Sequence, residues 1–264
     1  MPIKTISSAH NNDLKDLSRL LQNARDRRKS GLMVLEGIHL ATASLEAGGE
    51  LTALYINAEA SAHPEIVQLV ASVGERVAVS YITPGVFAKV TALTSAPELL
   101  ALARRPVPER PAAHVSRLLL EDIQDPGNLG TILRSAAASG VNEVFLSKGC
   151  VDVYSPKVLR AGMGAHFVLN LHEAADLEAV LNDFTGSKLV TALDGAVSLY
   201  SQDLTGPVAF VFGNEGSGVS TTLQALAPAR IKIPMPGQAE SLNVAMAATV
   251  CLFERVRQLE VQAG

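Results

Sequence analysis

A chain of 264 residues with 48% apolar content holds enough material for one large core or two smaller ones, but tryptophan is absent and aromatics are only 4%, so aliphatic residues and alanine must do the packing. Cys150 and Cys251 lie far apart with no CxxC pair to hold zinc, and no apolar run approaches the roughly 18 residues of a membrane-spanning helix. The net charge of −4 hides an asymmetry: residues 1–35 carry Lys4, Lys15, Arg19, Arg25, Arg27, Arg28 and Lys29 against Asp13, Asp16 and Asp26, for +4, leaving −8 on the rest. A basic segment on an acidic chain fits contacts to nucleic-acid phosphates, with Arg25, Arg27, Arg28 and Lys29 as candidates; a solvated helix face is the alternative. The opening Met1-Pro2-Ile3-Lys4 lacks the apolar stretch of a signal peptide, so a reducing cytoplasm is the expected setting.

In chain order, Asn11-Asn12-Asp13 offers helix caps, and Leu14, Leu17, Leu20, Leu21 and Ala24 recur at helical spacing, which predicts one helix from about 13 to 29. Strands are expected at 32–35, 51–56 and 77–82 and helices at 38–47 and 64–73, a small α/β unit over residues 1–105. Pro106, Pro108 and Pro111 then fall within six positions and read as a stiff linker over 106–114. From 115 to 264 strands are expected at 118–121, 143–147, 167–171, 188–193, 208–212 and 230–233, with helices at 129–139, 155–162, 177–184, 221–226 and 241–258. Such alternation predicts a mainly parallel sheet covered on both faces.

Three polar, glycine-bearing loops punctuate this second domain: Asp125-Pro126-Gly127-Asn128-Leu129-Gly130, Phe212–Gly218, and Ile233–Asn243. All three follow expected strands, and ligands of open α/β sheets bind beyond the carboxyl ends of strands, so the loops predict one composite site. No GxGxxG and no GK[ST] occurs, which removes the dinucleotide fingerprint and the P-loop. Asparagine and glycine instead suit close backbone approach and amide hydrogen bonds to a small polar ligand such as an adenosine.

Taken together, Leu120–Ala136 (LEDIQDPGNLGTILRSA), Phe210–Ser217 (FVFGNEGS) and Ile231–Ala247 (IKIPMPGQAESLNVAMA) resemble, in order, the three motifs of the SpoU (TrmH) family of RNA 2′-O-ribose methyltransferases, within the SPOUT class. The surroundings of Val34-Leu35-Glu36-Gly37 are similar, less specifically, to the ribosomal-protein-like substrate-binding domain that precedes many members. The resemblance implies a parallel-sheet domain ending in a trefoil knot, S-adenosylmethionine as cofactor, a homodimer, and RNA as substrate. Ribosomal RNA is the expected target, with transfer RNA, or a catalytically silent RNA-binding factor of the same fold, as alternatives.

By the same resemblance, Gly213, Asn214, Ile233, Met235, Gly237 and Leu242 match cofactor positions, where a side chain on Gly213 is expected to crowd the ligand. Arg134 matches the essential arginine, which also serves RNA binding; its guanidinium, a fork of donors without an acceptor, suits orienting a ribose or phosphate better than accepting a proton. Asn128, Glu215, Ser241 and Asn243 match the remaining catalytic positions, while Asn128 alone reads as a turn residue and Ser241 equally as the N-cap of the last helix.

Overall fold

Two sheets organise the chain, and the computed structural model describes residues 4–91, 93, 96–112, 114–192 and 195–263. The expected opening Met1–Ile3, Ala113 of the linker and the end of a strand at Leu193 lie outside the described residues. Packing divides the chain into Met1–Pro106 with Tyr154–Phe167, and Val107–Val153 with Val168–Gly264.

The first unit contains β1 (Lys4–Ile6), α1 (Asn12–Gln22), α2 (Ala24–Ser30), β2 (Leu32–Glu36), α3 (Ile38–Glu46), β3 (Leu51–Asn57), α4 (Pro64–Val73), β4 (Ala78–Ile82), α5 (Pro84–Val90) and β5 (Leu99–Arg104). The strands form a mixed sheet in the order β1-β4-β3-β5-β2, in which β5 runs antiparallel to both neighbours. Leu14, Leu17, Leu20 and Leu21 of α1 and Phe87 and Val90 of α5 share a core with Val34, Tyr55 and Leu100 of the sheet.

The single helix expected from 13 to 29 is broken at Asn23, whose backbone is extended at φ −123°, ψ 113°. Its N–H still donates to the Arg19 carbonyl, while its side chain accepts from the Arg25 N–H. One asparagine thereby closes α1 and caps α2, because a short amide side chain competes with the helical backbone for its own hydrogen bonds. The strands β1 and β5 and helix α5 were not legible by pattern. β5 lies between two partners and reads as the run LLALAR, without the alternation of a half-buried strand.

The second span supplies β6 (Arg117–Leu120), α6 (Pro126–Ser139), β7 (Glu143–Leu146), α7 (Pro156–Gly162), β8 (Asn170–His172), α8 (Leu177–Asn182), β9 (Ser187–Thr191), β10 (Val197–Ser198), β11 (Val208–Phe212), α9 (Thr221–Leu226), β12 (Ala229–Lys232) and α10 (Val244–Ala263). Its seven strands are ordered β10-β12-β9-β11-β6-β7-β8, and every neighbouring pair is parallel. All five residues of β11 are buried, as its run VAFVF requires of a strand covered on both faces.

The strand expected at 167–171 instead occupies Asn170–His172, where pairing with Glu143–Phe145 begins; Ala165–Phe167 turns as a 3-10 helix. By sequence α7 falls within the second domain, yet it packs on β2 in the first unit, where the Arg160 guanidinium meets the buried Glu36 carboxylate. Thr91 also donates its hydroxyl to Glu36, at 3.1 Å. Among the described residues no helix is long and apolar enough to cross a membrane.

Candidate active site

The strands β9, β11 and β12 all end on one cavity of about 700 Å³, walled by Thr191, Phe212, Ile233 and the loops that follow. After β11 the chain folds into a tight turn. The Asn214 side-chain oxygen accepts from the Gly216 and Ser217 N–H groups at 2.8 and 3.2 Å, and the Gly218 N–H returns to the Asn214 carbonyl at 2.8 Å. An asparagine that binds its own downstream backbone is a local turn former, so this shape is written in the motif itself.

At Gly213 the structure shows a reason for a glycine that lies within the protein itself. A Cβ there would meet the Gly218 carbonyl and the Val219 nitrogen, all closer than 3.0 Å, so the turn's own backbone excludes a side chain.

The other two loops lead to helix starts. Asp125 caps α6, accepting from the Asn128 N–H at 2.7 Å, with Pro126 in the first turn where its missing N–H costs nothing. The N-cap of α10 is Asn243 rather than Ser241: its side-chain oxygen accepts from the Ala245 and Met246 N–H groups at 2.9 and 3.3 Å. Ser135 on α6 meets Thr249 on α10 through hydroxyls 2.7 Å apart, and Asn128 meets Asn243, so the two helices run the same way and their N-terminal ends converge. Two positive helix ends at one place favour a ligand or substrate bearing negative charge.

The amides between them have a determined direction. Since the Asn243 oxygen is committed to helix N–H groups, its NH2 faces outward and donates to the Asn128 oxygen at 2.9 Å. Asn128 must then turn its own NH2 away, and it donates to the Glu215 carboxylate at 2.7 Å. One residue from each loop thus joins a single chain, with Glu215 as the terminal acceptor.

Of the sequence candidates, Gly213, Asn214, Glu215, Ile233, Met235, Ser241, Leu242 and Asn243 line the cavity, whereas Gly237 is not on its wall. Ser241 is exposed and makes no hydrogen bond among the described residues. Arg134 is likewise exposed on α6, and its side chain makes no hydrogen bond or ion pair among the described residues, so its guanidinium is available.

Arg25, Arg28 and Lys29 are exposed on α2. Arg27 is the exception: it is buried, and its guanidinium caps the Leu20 and Leu21 carbonyls at the end of α1, a structural task that removes it from phosphate contact. Burial pushes the Cys251 thiol beneath the cavity up to about 12, so it stays protonated and inert at neutral pH. Sequence reasoning missed Arg230 and Lys232 on the cavity rim, and Asp122 behind it. The alternation along β12 signalled the two cations, but only the sheet order brings them to this cavity.

A parallel sheet whose strand ends, polar turns and the start of α10 enclose a cavity of this size defines a cofactor-binding α/β domain. The chain belongs to the SpoU rRNA Methylase family, whose model matches residues 116–253; the model of an MRM3-like substrate binding domain matches 11–101. Among relatives, an uncharacterized tRNA/rRNA methyltransferase of Synechocystis is 35% identical, over 97% of this chain and 94% of that one. The 23S rRNA (guanosine(2553)-2′-O)-methyltransferase RlmP of Bacillus subtilis is 29% identical, over 95% and 98%. Among solved structures, an AdoMet-bound rRNA methyltransferase from Sinorhizobium meliloti superposes with TM-score 0.86 at 28% identity, covering 97% of this chain and 98% of that one. The SpoU methyltransferase AviRb from Streptomyces viridochromogenes, in complex with AdoMet, gives 0.85 at 26%, covering 94% and 98%.

Proposed function

We propose that this protein transfers a methyl group from S-adenosylmethionine to a ribose 2′-hydroxyl of ribosomal RNA. The observation that carries the proposal is the meeting of all three motif loops: Asn128, Glu215 and Asn243 form one hydrogen-bonded chain beside a cavity fitted to such a cofactor. Ile233, Met235 and Leu242 offer aliphatic cover for an adenine, and the Gly213–Gly218 turn offers backbone groups that need no side chain in the way. The family membership and the AdoMet-bound neighbours support the same cofactor.

When bound, the cofactor supplies an electrophilic methyl on a sulfonium. The protein's part is to hold a poor nucleophile in line with that methyl and to let its proton leave as the new O–C bond forms. Arg134 does not take the proton, because a guanidinium carries only N–H donors and no acceptor. Its free planar fork suits an RNA phosphate, so it orients the ribose and aligns the phosphate oxygen or water that takes the proton. Glu215 fixes Asn128, Asn243 fixes the start of α10, and the exposed Ser241 hydroxyl is left for the ribose.

Residues 1–105 bring the RNA through Arg25, Arg28 and Lys29, residues 106–114 link, and residues 115–264 perform the transfer, with the C-terminal segment threaded as the family's trefoil knot. Two copies pair in the cytoplasm. The pairing is supported by an apolar stripe left open on α10, Met246, Phe253 and Val261, at the seven- and eight-residue spacings of one helical face.

The test is transfer of labelled methyl from S-adenosylmethionine to RNA from a strain lacking the gene, followed by digestion to nucleosides. Label in a 2′-O-methylated nucleoside of ribosomal RNA is expected, and Arg134→Ala should cut turnover about 10²–10³-fold with cofactor affinity unchanged. Unaltered methylation by that variant would remove Arg134 from the reaction. Label in transfer RNA would favour the second reading, which the name of the Synechocystis relative keeps open.

A further inference from the structure

Asp122, two residues past the end of β6, has a backbone conformation that side chains seldom adopt, with φ at 54°. Asp and Asn tolerate this left-handed region better than most residues, but something must select it. Ser147, just past β7, does so with one hydroxyl: it donates to the Asp122 carboxylate at 2.6 Å and accepts from the Asp122 N–H at 2.9 Å. Gly149 leaves the space, since a Cβ there would fall within the Asp122 carboxyl group.

The consequence lies on the other side of Asp122. Its carbonyl accepts from the Asn214 NH2 at 3.0 Å. The opposite end of that amide is the oxygen that shapes the Gly216–Ser217 backbone. Asn214 is therefore tied at both ends, once to the cavity turn and once to a carbonyl whose direction depends on the left-handed φ. A relaxed Asp122 would aim that carbonyl elsewhere and leave the amide donor unmatched.

We propose that Asp122 and Ser147 form a clasp that sets the shape of the Asn214–Gly218 turn, making both of them positioning residues for cofactor binding. The inference rests on reading the cavity as the S-adenosylmethionine site. Neither side chain lines the cavity, so their effect passes through Asn214.

Calorimetric titration with S-adenosylmethionine separates the possibilities. Asp122→Ala and Ser147→Ala should each weaken binding about tenfold, and the double variant no further, because both remove one device. Asp122→Asn should stay within about twofold of the native protein, since Asn tolerates the conformation and keeps an acceptor for Ser147. RNA affinity should not move in any of them, whereas a general loss of structure would lower both affinities together. If Asp122→Ala fails to fold, Ser147→Ala carries the same test.

Native-like binding by the alanine variants, or a loss in Asp122→Asn equal to that in Asp122→Ala, overturns the clasp. Absence of binding by the native protein overturns the cofactor reading instead.

Discussion

Replacing Gly213 by alanine separates two explanations of a glycine at the cavity wall. If the ligand alone were crowded, the free protein would be unaffected and only affinity would fall. In the structure the added Cβ meets the Gly218 carbonyl carbon and oxygen and the Val219 nitrogen, all backbone and all closer than 3.0 Å. Ordinary carbon contacts need about 3.5 Å, so the turn must open by on the order of 1 Å. That strains the turn hydrogen bonds of Asn214 and the burial of Val219, which is only 4% exposed. Overpacking of this kind costs about 1–3 kcal/mol, which for a chain of this size lowers the melting temperature by roughly 2–6 °C.

The assay is a thermal melt of the ligand-free protein, with cofactor affinity measured alongside. Gly237→Ala is the control: nothing lies within 4 Å of its Cβ, so it should change stability by less than about 0.5 kcal/mol. A Gly213→Ala protein that melts with the native one, yet binds the cofactor weakly, would refute the backbone argument and restore ligand crowding.

Arg27→Ala should destabilise the first unit by roughly 1–3 kcal/mol, because two carbonyls at the end of α1 lose their buried donor, while RNA affinity of the folded fraction stays unchanged. A parallel loss of RNA affinity in folded protein would return Arg27 to the interface. Arg28→Ala combined with Lys29→Ala should do the reverse, leaving the melt intact and reducing the slope of log affinity against log salt by about 2; an unaltered slope takes both out of the RNA contact. Phe253→Asp on the open face of α10, where Phe253 is 44% exposed, should convert a dimer to a monomer by light scattering, and a native molar mass would move the pairing surface elsewhere.

The parts legible in the sequence are those whose causes are local. The run VAFVF and the helix Thr221–Leu226 were readable to the residue, because burial on both faces and helical spacing leave their mark within a few positions. The polar loops were equally readable, since asparagine and glycine make turns with their own neighbours. Local signals also misled where two neighbours offered the same chemistry: Ser241 and Asn243 both suit an N-cap, and the chain uses Asn243. A run of cations likewise gave no sign that Arg27 turns inward while Arg28 and Lys29 face water.

Tertiary structure decided which groups meet. The Asn128–Glu215 and Asn128–Asn243 bonds span 87 and 115 residues, and the Asp122 clasp reaches 25 residues to Ser147 and 92 to Asn214. By itself the sequence determined the sheet's parallel character, its loops and the family they belong to, because periodicity and turn chemistry act between near neighbours. The direction of the amide chain, the backbone reason for Gly213 and the clasp behind the cavity come only from strand order and from α6 lying alongside α10, which bring distant residues within 3 Å.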